Sequence, residues 1–328
     1  MPKRSKSLLQ RLIPGFFLGF AVFLTLLIFG DIRKVGSTFL DFRWVHLPLI
    51  LVLSGLNYSL RFVKWHYYLN LVNGSQISPL SSAKIFIAGL PLAVTPGNVG
   101  EALKGIWLNQ ESGMPTAQGM SVIVAERISD GLGVLALSTL GVIAYPRYWP
   151  VFTAALLAIF VLITLTQIRP AALKLLSWGE QLPIVRTFIE PLHEFYEGSH
   201  TLLGPKPTLV GLVLGALSWL WEGVGLYVVL RGLGLAPSWQ TLATSVFIFS
   251  FSSLVGGIST LPGGLGAAEA SLAGMLTLLL GVTGDIASAS TLLIRFGTLW
   301  FGVILGIAVW ALSPDLLQIH REKHPVNN

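Results

Sequence analysis

The chain has no cysteine and little charge. Without thiols there is no disulfide, no thiolate nucleophile and no cysteine-ligated metal. The six histidines (His46, His66, His193, His200, His320 and His324) fall at span borders or in loops, and no HExxH pair occurs, so no metal site is expected. A GxSxG elbow, a phosphate-binding P-loop and an acidic loop cluster are also missing. The longest stretch outside the apolar segments is Arg169–Lys206, too short for a nucleotide-binding domain. These absences argue against an enzyme and against a cofactor.

What is present is apolar. Of 328 residues, 53% are hydrophobic and 11% are charged, where soluble domains carry about 25% charged residues. Mean hydropathy is +0.73. The composition predicts an all-α, polytopic integral membrane protein in the cytoplasmic membrane. Leu12–Phe29 and Val151–Ile168 hold no charge at all. Further spans are predicted at about Leu47–Phe62, Thr116–Ala144, Leu209–Leu230 and Ile286–Leu312. The second span is read as ending where Arg61 and Lys64 snorkel to the interface beside Trp65, Tyr67 and Tyr68. Arg169–Lys206 reads either as an interfacial amphipathic helix or as an ordinary loop. The first apolar run lacks a small-residue cleavage pattern, which predicts a retained anchor with a cytoplasmic N-terminus. With both termini inside, thirteen Lys and Arg fall on the cytoplasmic side and five outside. The net charge of +6 then reflects topology and anionic lipid, not nucleic acid.

Two apolar segments are broken by proline and glycine. "TPGNVGEALKG" spans Thr95–Gly105, and "LPGGLGAAEA" spans Leu261–Ala270. Pro96 and Pro262 are 166 apart; Glu101 and Glu269 are 168 apart, as are Arg127 and Arg295. One two-residue insertion accounts for the difference. The apolar run before the first break, Ser81–Val94, has 14 residues, which suits a re-entrant half. Thr241–Thr260 has 20 uncharged residues, so the second unit either dips or crosses twice. The topology makes the two units an inverted repeat, with repeat 1 at about 45–145, a span and connector at 151–206, and repeat 2 at about 209–312, all within one transmembrane domain. Interrupted helices at matching places in such repeats mark substrate sites. Proline ends the incoming helix, and glycine permits a reversal and close approach. The helices that restart near Gly100 and Gly266 would present free N–H groups and a positive dipole end to an anion.

Arg127 and Arg295 fall roughly 15 Å into their spans at about 1.5 Å per residue. Each therefore needs a partner inside the protein. Glu126 and Asp130 share a helix face, and Arg127 has Asp130 three residues on. Arg295 has no acidic neighbour in its own span, which points to Glu269 or a bound anion; the repeat then gives Arg127 to Glu101. Two readings stand: the arginines hold a lipid phosphate while Glu101 and Glu269 act as gates or proton carriers, or the pairs only lock each break to its neighbour. Glu222 and Lys104 are weaker candidates.

"TPGNVGEALKG", "AERISDGLG", "LPGGLGAAEASLAG" and "RFGTLWFGVILG", in this order and spacing, resemble the lysylphosphatidylglycerol synthase transmembrane-region family. The resemblance runs from about Leu12 to Leu312. It implies translocation of a phospholipid, or of another anionic lipid such as a polyprenyl-phosphate conjugate, between leaflets. On the matching motifs it implicates Pro96, Gly97, Gly100, Glu101, Glu126, Arg127, Asp130, Pro262, Gly263, Gly264, Gly266, Glu269 and Arg295. Members often carry a basic residue where Asn98 stands. Lysyl transfer is not carried over, because it belongs to a cytosolic domain that these residues do not include. The alternative is a non-transporting scaffold for a separate lipid-modifying or glycosyl-transferring enzyme.

Overall fold

The computed structural model describes residues 8–72, 77–144, 149–150, 153–154, 157–158, 161, 164 and 189–313. The expected span at Val151–Ile168, the connector up to residue 188 and the basic residues of both termini lie outside the fully described stretches. Every regular element among the described residues is helical.

Helix α1 covers Leu8–Phe29 and α2 covers Ile32–Asp41; α3 runs from Leu47 to Val72. The first broken unit is α4 (Pro79–Gly89), two 3-10 pieces at Leu90–Val94 and Pro96–Glu101, and α5 (Ala102–Ser112). Then come α6 (Thr116–Ala144), α7 (Ile189–Leu202) and α8 (Pro205–Gly232). The second broken unit is α9 (Trp239–Ile258), a turn at Pro262–Gly264 and α10 (Ala267–Leu280). The chain closes with α11 (Gly284–Arg295), a π-helical turn at Phe296–Trp300 and α12 (Phe301–Leu312).

Local chemistry sets these limits. Ser78 accepts the Ser81 N–H at 3.1 Å, with Pro79 at the first helical position, so α4 starts there. Ser238 does the same for α9 through the Thr241 N–H at 2.9 Å. Gly113 and Gly281, at φ 70° and 65°, end α5 and α10 in the left-handed conformation.

Six segments are long and apolar enough to cross a bilayer: Leu12–Phe29, Trp44–Val72, Pro205–Gly232, Trp239–Ile258, Pro262–Leu280 and Gly284–Leu312. The protein is a multi-pass membrane protein. Helix α6, with 29 residues, has the length but carries Glu126, Arg127 and Asp130. The arms of the first break are 11 residues each, about 16 Å of helix. Those of the second include the 20-residue α9 and the 19-residue Pro262–Leu280, each long enough to cross. The length argument for a shallow hairpin therefore applies to the first unit and not to the second.

One expectation needs correction. The second span does not end at Phe62: α3 continues through Arg61 and Lys64 to Val72, and both cations are buried. They do not snorkel, because carboxylates on α6 face them. The described part of the connector, α7, is a helix. It packs on α6 and buries Tyr196 and Ser199; a Cβ on Gly198 would lie 2.1 Å from Ser121 Oγ.

The core forms two apolar clusters. One gathers Leu12, Trp65, Tyr68, Phe86, Leu92, Trp107, Val122, Ile128, Val303 and Trp310. The other gathers Leu26, Ile50, Leu53, Leu135, Leu226, Phe247, Leu272, Met275 and Ile294. Helices α1, α3, α6 and the α11–α12 segment each pass from one cluster to the other. Arg61, Asp130 and Arg295 lie at those crossovers, between Leu53 and Trp65, Ile128 and Leu135, and Ile294 and Val303.

Candidate functional site

The two breaks touch. A Cβ on Gly263 would lie 3.2 Å from Val94 Cγ1, and the Leu90–Val94 and Pro96–Glu101 pieces both pack on Pro262–Gly264. Helix α1 lies against them: a Cβ on Gly15 would meet the Val94 carbonyl at 2.3 Å, and one on Gly19 the Trp300 ring at 2.7 Å.

The breaks reach this junction by different backbone routes. In the second, Gly263, Gly264 and Gly266 have φ of 61°, 67° and 92°, a region costly for a residue with a Cβ. The first contains no such residue; its turns are 3-10, held by the Thr95 hydroxyl, which donates to the Leu92 carbonyl at 2.6 Å and accepts the Gly100 N–H at 2.9 Å. Gly100 is required there by closeness, since its Cβ would fall 2.7 Å from Thr95 Oγ1.

At the start of each restarted helix one N–H already has a partner within the protein. The Gly266 N–H donates to Glu269 Oε2 at 2.6 Å, and the Gly100 N–H is taken by Thr95. These N–H groups, expected to be free for a ligand, are satisfied by the protein itself. Glu269 is the anion on the dipole end of α10.

Both arginines take the partners expected from the repeat. Arg127 grips Glu101 through Nη2 and, at 3.2 Å, through Nε. Arg295 pairs with Glu269, Nε to Oε1 at 2.5 Å, and donates from Nη2 to the Gly263 carbonyl at 2.8 Å. Each guanidinium thus ties a break to a long helix, and among the described residues neither Nη1 has a hydrogen-bond partner.

A second, denser network sits beside the first break. Arg61 donates to Glu126 at 2.9 Å and lies 3.4 Å from Asp130, while Lys64 pairs with Asp130 Oδ1. Lys104, fully buried, stands 3.6 Å from Glu126 and 3.8 Å from Glu101, over the Trp65 and Phe86 rings at 5.0 and 5.5 Å. Gly89 makes room for it: a Cβ there would lie 2.1 Å from Lys104 Cε. Asp130 therefore serves α3, not the same-helix pair with Arg127.

Arg61, Lys64 and Tyr58 belong to this charged layer without being marked by the repeat, and Lys104, a weaker candidate from the sequence, joins the same network. Asn57, Arg61, Lys64 and Tyr68 recur at four-three-four spacing, one helix face, opposite Glu126 and Asp130 at a spacing of four. That signal was available. The repeat hides it, because the offset of 168 carries Lys104 to Leu272, Glu126 to Ile294 and Asp130 to Thr298.

A cavity of about 550 Å³ opens between the two units. Glu101, Arg127, Asp130, Gly263, Gly264 and Arg295 line it, with Tyr58, Arg61, Lys104 and Glu222. Glu126, Glu269, Gly100, Pro262 and Gly266 stand behind that lining; for Pro96 and Gly97 the backbone alone is described. Ile258 and Leu261 also line it and are 62% and 41% exposed, so part of its rim is apolar. Arg127 is the more open guanidinium, its side chain 36% exposed against 14% for Arg295. After Arg295, in the π-helical turn, the Thr298 carbonyl accepts both the Phe301 N–H and the Tyr58 hydroxyl, the latter at 2.6 Å. Among the described residues, no group of three His, Asp or Glu could hold a metal ion.

The chain is similar to known membrane proteins. A "UPF0104 membrane protein" of Methanothermobacter thermautotrophicus is 27% identical over 310 residues, covering 89% of this chain and 90% of that protein. A second "UPF0104 membrane protein" of the same organism is 25% identical over 233 residues, covering 64% of this chain and 67% of its own length. The family profile described as "Lysylphosphatidylglycerol synthase TM region" matches residues 16–306, which takes in both breaks and both arginines, and the chain belongs to that family.

Proposed function

We propose that this protein moves a phosphate-bearing lipid between the leaflets of the cytoplasmic membrane, by alternating access between two inverted units. The carrying observation is the cavity itself. It forms where the two breaks meet, an arginine from each unit lines it, and its exposed rim is apolar at Ile258 and Leu261. A lipid needs this combination: cationic donors for the phosphate, and a greasy exit through which acyl chains stay in the bilayer. The free Nη1 groups of Arg127 and Arg295 are the donors in this reading, and guanidinium suits phosphate by geometry as well as charge. The membrane-lipid character of the family is in keeping with it. The substrate class is a phospholipid or a polyprenyl-phosphate-linked glycan.

One observation favours a second reading. Both guanidiniums already hold carboxylates of the protein, Glu101 and Glu269. Pairs of this kind lock elements together, and a scaffold for a separate synthase or transferase needs nothing more.

Leaflet transfer of a fluorescent phospholipid in proteoliposomes separates the two. The expected result is transfer by the wild type and its loss in Arg295→Met/Glu269→Gln. That variant removes both charges together and keeps an acceptor for the Gly266 N–H. Wild-type transfer rates in this double variant refute the site, and no transfer by the wild type, with a transferase co-purifying, supports the scaffold.

A further inference from the structure

Glu222 lies on α8, 6% exposed, and lines the cavity. It differs from every other carboxylate of the charged layer. Glu101 is held by Arg127, Glu126 by Arg61, Asp130 by Lys64 and Glu269 by Arg295. Among the described residues Glu222 has no ion pair and no side-chain hydrogen bond.

Its neighbours across the cavity each hold another partner. Helix α3 contributes Tyr58, whose hydroxyl goes to the Thr298 carbonyl, and Arg61, which goes to Glu126. Helix α6 contributes Asp130, which takes Lys64, and Arg127, which takes Glu101. The α11 end contributes Arg295, bound to Glu269 and the Gly263 carbonyl. Helix α9 also packs on α8 and has no ionisable residue. The ionisable groups of α7, and His46, pack near α8 without lining the cavity.

An unpaired carboxylate out of water is costly in its charged form, and adding a proton removes the cost. Glu101 and Glu269 differ, because each already has a guanidinium partner, Arg127 and Arg295. A metal ion needs several ligands together, and the described residues offer no such set.

We propose that Glu222 is the proton-binding site of this cavity: hydronium gives a proton to one carboxylate oxygen, an O–H bond forms, and water leaves. The proton departs to water by the reverse step when the cavity faces the other side. Resting on the lipid-translocation reading, this makes Glu222 the point where a proton gradient couples to lipid movement, in place of Glu101 and Glu269.

Two readouts test it separately. In infrared difference spectra of the purified protein, acidification should raise a protonated-carboxyl carbonyl band, and Glu222→Gln should lack it. This readout does not depend on transport. In proteoliposomes carrying a fluorescent phospholipid, an imposed pH gradient should accelerate transfer by the wild type, and Glu222→Gln should lose that response. A sodium gradient at constant pH should have no effect. If the wild type moves no lipid, the translocation reading fails and the infrared band alone decides the proton site. The proposal is overturned by a wild type with no titrating carboxyl band, by a band that survives in Glu222→Gln, or by a gradient response that survives there. A response to sodium in place of protons overturns it as well.

Discussion

Lys64 is wholly buried, and its ammonium lies against Asp130 in the middle of a bilayer-length helix. Removing one partner of such a pair strands the other charge, so Lys64→Met should destabilise the protein by about 3 kcal/mol. Lys64→Met/Asp130→Leu should recover much of that loss, since both charges go. Lys84→Met, on an exposed residue of α4, should change little. Thermal unfolding in detergent, read as a double-mutant cycle, checks all three. The same residue marks where sequence reading fell short. A charge at the end of an apolar run is normally a boundary, and Arg61 and Lys64 were read so. Only the arrival of Glu126 and Asp130 from α6 makes them interior, and that contact joins residues more than sixty apart.

At the scale of elements, the two breaks were legible and their conformations were not. Proline and glycine announce an interruption, and the matched glutamates and arginines announce that it recurs. Nothing in "PGNVGE" against "PGGLGAAE" says that the first is a run of 3-10 turns and the second passes through left-handed glycines. The Thr95 hydroxyl decides the first, and crowding decides part of the second. Gly264 has φ 67°, and a Cβ there would lie 3.0 Å from Gly256 Cα. Gly264→Ala should therefore cost about 2 kcal/mol, from the left-handed backbone and the contact together. Gly274, inside α10, has nothing within 4 Å of a Cβ. Gly274→Ala should be neutral or stabilising by up to roughly 1 kcal/mol. Unfolding midpoints of the two variants should move in opposite directions or differ widely; equal shifts would remove the backbone argument for the second break.

For the whole molecule, two apolar clusters sandwich one charged layer, and the cavity lies in that layer. The sequence supplied the arginines, their glutamates and the internal repeat that paired them. It did not supply the asymmetry. One unit brings Lys104, Glu126 and Asp130, where the other has Leu272, Ile294 and Thr298. The first break is tied to α6 by Glu101–Arg127 and Lys104–Glu126, and α6 to α3 by Arg61–Glu126 and Lys64–Asp130, seven charged residues in all, while the second is held by Arg295 and Glu269. The most direct measurement is native mass spectrometry of the gently purified protein, comparing lipid retained by the wild type with that retained by Arg127→Gln/Glu101→Gln/Arg295→Gln/Glu269→Gln. The account predicts a phosphate-bearing lipid on the folded wild type and its loss from the folded variant. Equal retention by both, or none on the wild type, would contradict it.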